Sequence, residues 1–223
     1  MSICIIGGSS SLGQELIKQA ELHGESIVAT YFQTLFSTTA ELVQLDLTNT
    51  GQIASFKPKN ISHLVFLQGS LFGQALGNYK GKMIEETISI NLTASVQIVN
   101  NLIAHKCFHR PALITFVASI AAVKGSYDVA YAASKSALIG CVKSIAKYNA
   151  PDIRANVICP GLIKDSGMYN AMSADDHSRH LDQTPTNKLT DIKHLAELIL
   201  LFDQPYFNNL NGAVINLDGG RYI

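Results

Sequence analysis

Ser2-Ile3-Cys4-Ile5-Ile6-Gly7-Gly8-Ser9-Ser10-Ser11-Leu12-Gly13 is the stretch that sets the fold. The apolar run Ser2–Ile6 reads as a buried strand ended by Gly7-Gly8. Ser9, Ser10 and Ser11 offer capping hydroxyls, and Leu12, Leu16, Ile17 and Ala20 then recur at helical spacing until Gly24. A strand, a glycine-rich turn and a helix N-terminus together form an anion site. Backbone N–H groups and the positive helix end face the anion, and missing side chains let it approach. The spacing is not G-x-G-x-x-G, so a plain strand-to-helix turn stays open as the alternative.

Outward from this unit, further strands are predicted at Ser26–Thr30, Val43–Leu47, His63–Leu67, Ala112–Val117, Ile153–Ile158 and Ala213–Leu217. Helical patterns cover Met83–Ile103, with Ile84, Ile88, Leu92, Ser95, Val99 and Leu102 on one stripe, then Ala130–Tyr148 and His194–Phe202. A polar stretch, 164–191, reads as loop and short helix. Strands alternating with helices predict an α/β fold, a doubly wound parallel sheet, as a single domain over 1–223. Such a sheet binds ligands beyond the carboxyl ends of its strands. Those ends carry Gly7-Gly8, Thr30-Tyr31, Asp46, Gln68-Gly69, Ser119, Pro160-Gly161 and Asp218.

The 223 residues carry 17 Lys plus Arg against 17 Asp plus Glu, a formal net charge of zero. That balance gives no bulk electrostatic attraction to nucleic acid or an anionic membrane surface. The uncharged run Pro111–Val123 is too short for a membrane span of roughly 20 residues. Met1–Ile6 lacks a basic region, so no signal peptide is read there. Cys4, Cys107, Cys141 and Cys159 are scattered, the pattern of reduced thiols in a cytoplasmic protein. The seven histidines show no metal-ligand spacing. No metal is expected.

Tyr131-Ala132-Ala133-Ser134-Lys135 places a phenol and an ammonium on one helix face, continued by Leu138, Ile139, Val142 and Ile145. An ammonium beside a phenol lowers its pKa from about 10 toward neutrality, so the pair can pass a proton to or from an alcohol or carbonyl oxygen. In isolation the same spacing also describes a core tyrosine beside a snorkelling lysine. Ser119, after the strand ending at Val117, can hold a substrate oxygen or cap a turn. Asn91, on the buried stripe of the long helix, requires hydrogen-bond partners. It either binds water or a carbonyl near the lysine, or locks two helices.

Taken together and in this order, the glycine turn, Asn91, Ser119, Tyr131/Lys135, Pro160-Gly161 and Asp218-Gly219-Gly220 resemble the classical short-chain dehydrogenase/reductase family over essentially the whole chain. The resemblance implies a Rossmann fold, a nicotinamide dinucleotide, and hydride transfer to or from a small carbonyl or alcohol substrate. It implies Tyr131 as acid/base, Lys135 as its pKa-lowering neighbour and ribose ligand, Ser119 as the orienting hydroxyl and Asn91 as a relay residue. It assigns cofactor contacts to Gly7, Ser9, Ser10, Ser11, Leu12, Gly13, Thr30, Tyr31, Asp46, Leu47, Gln68, Gly69, Tyr131, Lys135, Pro160, Gly161 and Ile163, with Asp46 toward adenine. Residues 162–190 become a substrate lid, with Met168, Tyr169 and Met172 as apolar contacts. Family members are usually dimers or tetramers. Here the small residues Ala133, Ala137, Gly140, Cys141 and Ser144 suggest a helix-to-helix interface between copies, or packing within one.

The chain departs from the family pattern in places. The family's TGxxxGxG turn has Ile6 for its Thr and Ser11 for its middle Gly, and NNAG is replaced by Leu67-Gln68-Gly69-Ser70. Few residues separate Thr30 from Asp46, too few for a full crossover helix, so the adenosine side is trimmed. The end of the second strand, Ala29-Thr30-Tyr31-Phe32-Gln33-Thr34, has no acid to repel a 2′-phosphate, and Thr30 and Thr34 can donate to one. NADP(H) is therefore preferred, with NAD(H) possible. Enoyl reductases space tyrosine and lysine more widely, with Asp128 here at the earlier tyrosine position. Extended sugar epimerases need a larger C-terminal domain. The rival function is a catalytically weak dinucleotide-binding regulatory or scaffold protein of the same fold.

Overall fold

The computed structural model describes residues 2–222; Met1 and Ile223, the ends of the expected domain, lie outside the described residues. Seven strands form one sheet: β1 (Ser2–Ile6), β2 (Ser26–Tyr31), β3 (Glu41–Gln44), β4 (Ile61–Phe66), β5 (Phe108–Val117), β6 (Ile153–Pro160) and β7 (Val214–Leu217). Their order is β3-β2-β1-β4-β5-β6-β7, and every pairing is parallel. Helices follow the strands: α1 (Ser11–Leu22), α2 (Thr50–Ser55), α3 (Met83–Ile88), α4 (Ala94–Ala104), α5 (Ala121–Lys124), α6 (Val129–Tyr148), α7 (Gly167–Asn170), α8 (Ala174–Asp182) and α9 (Ile192–Leu201). This is the doubly wound α/β sheet that the alternation predicts, of the Rossmann type that the resemblance implies.

Successive side chains of a strand point to opposite faces, and β1 shows the result. Ile3 and Ile5 pack with Leu16, Ile17, Leu195 and Ile199 of α1 and α9. Cys4 and Ile6 pack on the other face with Leu64, Ile98, Leu102 and Val142 from β4, α4 and α6. Burial on both faces explains why β4 is buried at every position. The Phe66 and Phe116 rings stack at 4.7 Å between neighbouring strands. The chain reverses strand order at β1/β4, where a crevice opens at the carboxyl edge.

Several boundaries differ from the sequence reading. β3 occupies Glu41–Gln44, not Val43–Leu47, because Asp46 closes a turn on Thr48 that ends the strand early. A π turn, Ser89–Thr93, separates α3 from α4. Its extra residue rotates the preceding stripe, so Ile84 is 49% exposed while Thr87 and Asn91 are buried. Helices α2 and α5, short and not expected, fill connections. Residues 32–40 between β2 and β3 contain no helix, as the short interval predicts.

Candidate active site

The glycine turn is shaped by what its residues lack. Gly7 adopts φ +89°, and a Cβ there would lie 3.0 Å from Gln68 N. A Cβ on Gly13 would meet Gly8 O at 2.5 Å and Gly7 O at 2.6 Å, so α1 approaches the turn only through glycine. Ser10 caps α1: its hydroxyl accepts Gly13 N–H at 3.0 Å and donates to Gly7 O at 2.8 Å. Leu12 points into the core, leaving only its backbone for the crevice. Ser11 lines a separate hollow between α1 and Phe36–Thr38.

The crevice has a volume of about 550 Å³. Gly7, Ser9, Ser10, Thr30, Tyr31, Asp46, Leu47, Gln68 and Gly69 all line it, together with Phe32, Glu86 and Ile90, which the sequence reading missed. The Thr30 hydroxyl, expected to donate to a 2′-phosphate, instead accepts Gly7 N–H at 3.0 Å and is buried, so it braces the turn. Thr34 lies on the exposed loop. Asp46 Oδ1 accepts both the N–H and the hydroxyl of Thr48, at 2.8 and 2.7 Å. Gln68 donates to Ser95 Oγ at 2.6 Å, while its Oε1 is buried with no hydrogen-bond partner among the described residues. A side-chain-free turn at a helix N-terminus and an unused buried acceptor fit a dinucleotide in this crevice.

A second cavity, about 700 Å³, adjoins the first; Gly69 lines both. Ser119 and Tyr131 form part of its wall, with Gly161, Leu162, Met168 and Met172. Pro160 and Ile163 line neither cavity. Pro160 ends β6, its carbonyl accepting Ile120 N–H at 2.9 Å, and Ile163 packs on the core. Tyr169 does not reach the cavity either; its ring stacks on His177 at 3.8 Å.

Burial pushes the Tyr131 phenol above its ordinary pKa, assisted by the Asp128 charge and opposed by a hydrogen bond from Ser119. This reverses the expected lowering by Lys135. The Lys135 ammonium, 3% exposed, donates instead to the carbonyls of Gln68 (3.1 Å) and Val117 (3.0 Å). Burial lowers its own pKa to about 8, with Cys159 opposing. Asn91 does not touch the lysine. Its Oδ1 accepts Ser70 N–H at 2.7 Å, and its Nδ2 donates to Ser70 O at 3.0 Å and Ser134 Oγ at 2.9 Å. The side chain therefore ties the loop after β4 to α6.

Asp128, read only as a non-tyrosine, is the N-cap of α6 and is fully buried. Its Oδ1 accepts Tyr79 OH at 2.7 Å and Tyr131 N–H at 3.0 Å, and its Oδ2 accepts Gly73 N–H at 2.9 Å and Gln74 N–H at 3.3 Å. Burial acts to raise its pKa, but these hydrogen bonds outweigh it and hold the carboxyl below its usual range. An N-cap carboxylate three residues before Tyr131 is a signal that sequence reading alone can find.

Among the described residues, no group of three His, Cys, Asp or Glu can hold a metal ion, and no helix is long and apolar enough to cross a membrane. Residues 7–221 match the family model described as enoyl-(acyl carrier protein) reductase. The 3-oxoacyl-(acyl-carrier-protein) reductase FabG of Buchnera aphidicola subsp. Baizongia pistaciae is 31% identical over 192 residues, covering 81% of this chain and 77% of that protein. A short-chain dehydrogenase/reductase from Brucella melitensis has the same fold, with TM-score 0.90, 21% identity, and coverage of 100% and 96% of the two chains. The structure of BdcA in complex with NADPH matches at TM-score 0.87 and 23% identity, covering 98% and 93%. The chain belongs to the classical short-chain dehydrogenase/reductase family of NAD(P)-dependent enzymes.

Proposed function

We propose that this enzyme interconverts a carbonyl and an alcohol on a small molecule, with NADP(H) as the preferred nicotinamide and Tyr131 as the acid/base. The observation that carries this reading is the junction at Gly69, where the crevice meets the cavity holding Ser119 and Tyr131. The nicotinamide, when bound, gives or takes the hydride. The protein's own groups do the rest. Ser119 and Tyr131, on the wall of one cavity, present two hydroxyls to one substrate oxygen. In reduction the Tyr131 phenol donates its proton to that oxygen; in oxidation it takes one back. Its raised pKa keeps it protonated at neutral pH, the form that reduction needs. Lys135 anchors the loop after β4 to α6 beside this proton donor.

Gly7, Ser9 and Ser10, with the N–H groups of Ser11 and Leu12, are the residues that would hold the pyrophosphate, and Gly13 lets α1 approach their turn. Tyr31, Asp46, Leu47, Gln68 and Gly69 would line the rest of the dinucleotide. The preference for NADP(H) rests on the absence of a carboxylate at the end of β2, and the NADPH bound to BdcA is consistent with it. The matching family model is described as an enoyl reductase, but Tyr131 and Lys135 four apart favour carbonyl chemistry. Residues 162–190 act as the substrate lid. The groove between α4 and α6, lined by Val96, Val99, Ala137, Gly140 and Cys141, serves as the contact with a second copy.

The test is a panel of ketones, aldehydes and secondary alcohols with NADPH and NADH, followed by nicotinamide absorbance. Turnover faster with NADPH is the expected result. Cofactor binding with no turnover across the panel favours the regulatory or scaffold reading instead.

A further inference from the structure

The cavity holding Ser119 and Tyr131 is lined by four basic side chains, Lys124, Arg179, His180 and Arg221, and, among the described residues, by no carboxylate. In a chain with 17 Lys plus Arg against 17 Asp plus Glu this excess is local. Two of the four are already accounted for. Arg179 has Asp176 at 2.5 Å. His180 is held toward its neutral form, first by burial and then by the charges of Arg221, Arg179 and Lys124, with Asp176 opposing. It meets Arg221 Nη1 through Nδ1 at 2.5 Å.

Lys124 and Arg221 make no ion pair among the described residues. Both stand over the ring of Tyr222, Lys124 Nζ at 4.3 Å and Arg221 Cζ at 5.1 Å from its centroid. Asp218, three residues before Arg221, is occupied: Oδ1 accepts Gly220 N–H at 3.1 Å and Oδ2 accepts Tyr222 N–H at 2.9 Å. Arg221 donates to His180 and to Gln183 Oε1, which leaves part of its donor fork unused. Lys124 also sits on the same short turn as Ser119. The Ser119 hydroxyl accepts Ala121 N–H at 3.1 Å, and Lys124 N–H bonds Ile120 O at 3.0 Å. The cationic end and the hydroxyl end of the cavity thus spring from one short turn. Two cations sharing one aromatic ring, with no counter-charge among the described residues, suit a planar or tetrahedral oxyanion.

We propose that the substrate carries a carboxylate or phosphate on the same molecule as the reacting carbonyl or alcohol, and that Arg221 and Lys124 bind it. This rests on the reading of Ser119 and Tyr131 as the reacting end.

The test is calorimetric titration of the full chain, with NADPH present, using ω-ketone carboxylates of graded length, their methyl esters, and the matching phosphates and alcohols. The charged member of a pair should bind about tenfold tighter than the neutral one, as one good charge-assisted contact would give. Carboxylate or phosphate leading the series identifies the oxyanion. Arg221→Gln and Lys124→Gln should each shrink that advantage severalfold, and the double variant should bring it to about one. Arg221→Lys, which keeps the charge, should retain part of it and controls for misfolding. Equal binding of charged and neutral members, no binding by either, or an advantage surviving the double variant overturns the proposal. Turnover of the same compounds reads the oxidoreductase assignment separately. Charge-selective binding without turnover upholds the anion subsite and defeats the assignment of Tyr131.

Discussion

The two halves of the sheet's carboxyl edge make their sites by opposite means. On the β1–β2–β3 side the crevice is defined by missing atoms: Gly7 and Gly13 leave room that no other residue allows, and Ser10 and Thr30 hold the turn through its backbone. On the β4–β5–β6 side the site is defined by buried side chains that are present and paired, namely Asn91, Asp128, Ser134 and Lys135. The difference predicts how each half fails. The first should fail by steric exclusion, the second by leaving buried polar groups without partners.

Gly13→Ala tests the first half and carries the larger effect. Its methyl group falls within bonding-contact range of two backbone oxygens that cannot move aside. The variant should lose about 3 kcal/mol, the upper end for over-packing, and lose NADPH binding with it. Retention of both stability and binding would show that the turn yields, and the contrast between the halves would fall.

Asp128→Asn tests the second half. It replaces a carboxylate that accepts four hydrogen bonds with an amide that offers one acceptor oxygen, at a cost of about 2 kcal/mol. The pH dependence has a definite sign. The folded Asp128 pKa lies below its unfolded value of about 3.9, so its stabilisation is present above that pH and is lost as pH falls through the folded pKa. Chemical denaturation across pH should show the gap between wild type and variant constant near neutrality and closing in acid. A gap that stays open at low pH contradicts the ionised carboxylate.

The smallest effect concerns cofactor choice. Tyr31→Asp places a carboxylate at the end of β2, where it repels a 2′-phosphate and accepts from a ribose hydroxyl. The ratio of kcat/KM for NADPH over NADH should fall by about tenfold, or 1.4 kcal/mol. An unchanged ratio removes the electrostatic basis for preferring NADP(H).

Much of the fold is legible in the sequence because periodicity and punctuation coincide. Ser2–Ile6, the serines before Leu12 and the spacing of Leu16, Ile17 and Ala20 each mark the same βα unit. Where local signals compete, the reading slips. Val43–Leu47 looks like a strand, but Asp46 bonding Thr48 turns the chain away after Gln44. The π turn at Ser89–Thr93 leaves no local mark, and its added residue moved Ile84 off the buried stripe. In the site, Ser119 and Tyr131 come together as expected. The partners of Lys135 are two backbone carbonyls, one in the loop after β4 and one at the end of β5, which no pattern of residue types displays. The basic cluster of Lys124, Arg179, His180 and Arg221 is likewise assembled only by folding, from three separate segments.

The central claim is that Tyr131 serves chemistry and leaves cofactor binding to the crevice across Gly69. Tyr131→Phe, assayed on any carbonyl compound that wild type reduces and titrated with NADPH in parallel, tests it most directly. Turnover should fall by roughly 10²–10⁴-fold, the span of a lost general acid, while NADPH affinity stays within about twofold. Turnover near the wild-type rate would contradict the claim.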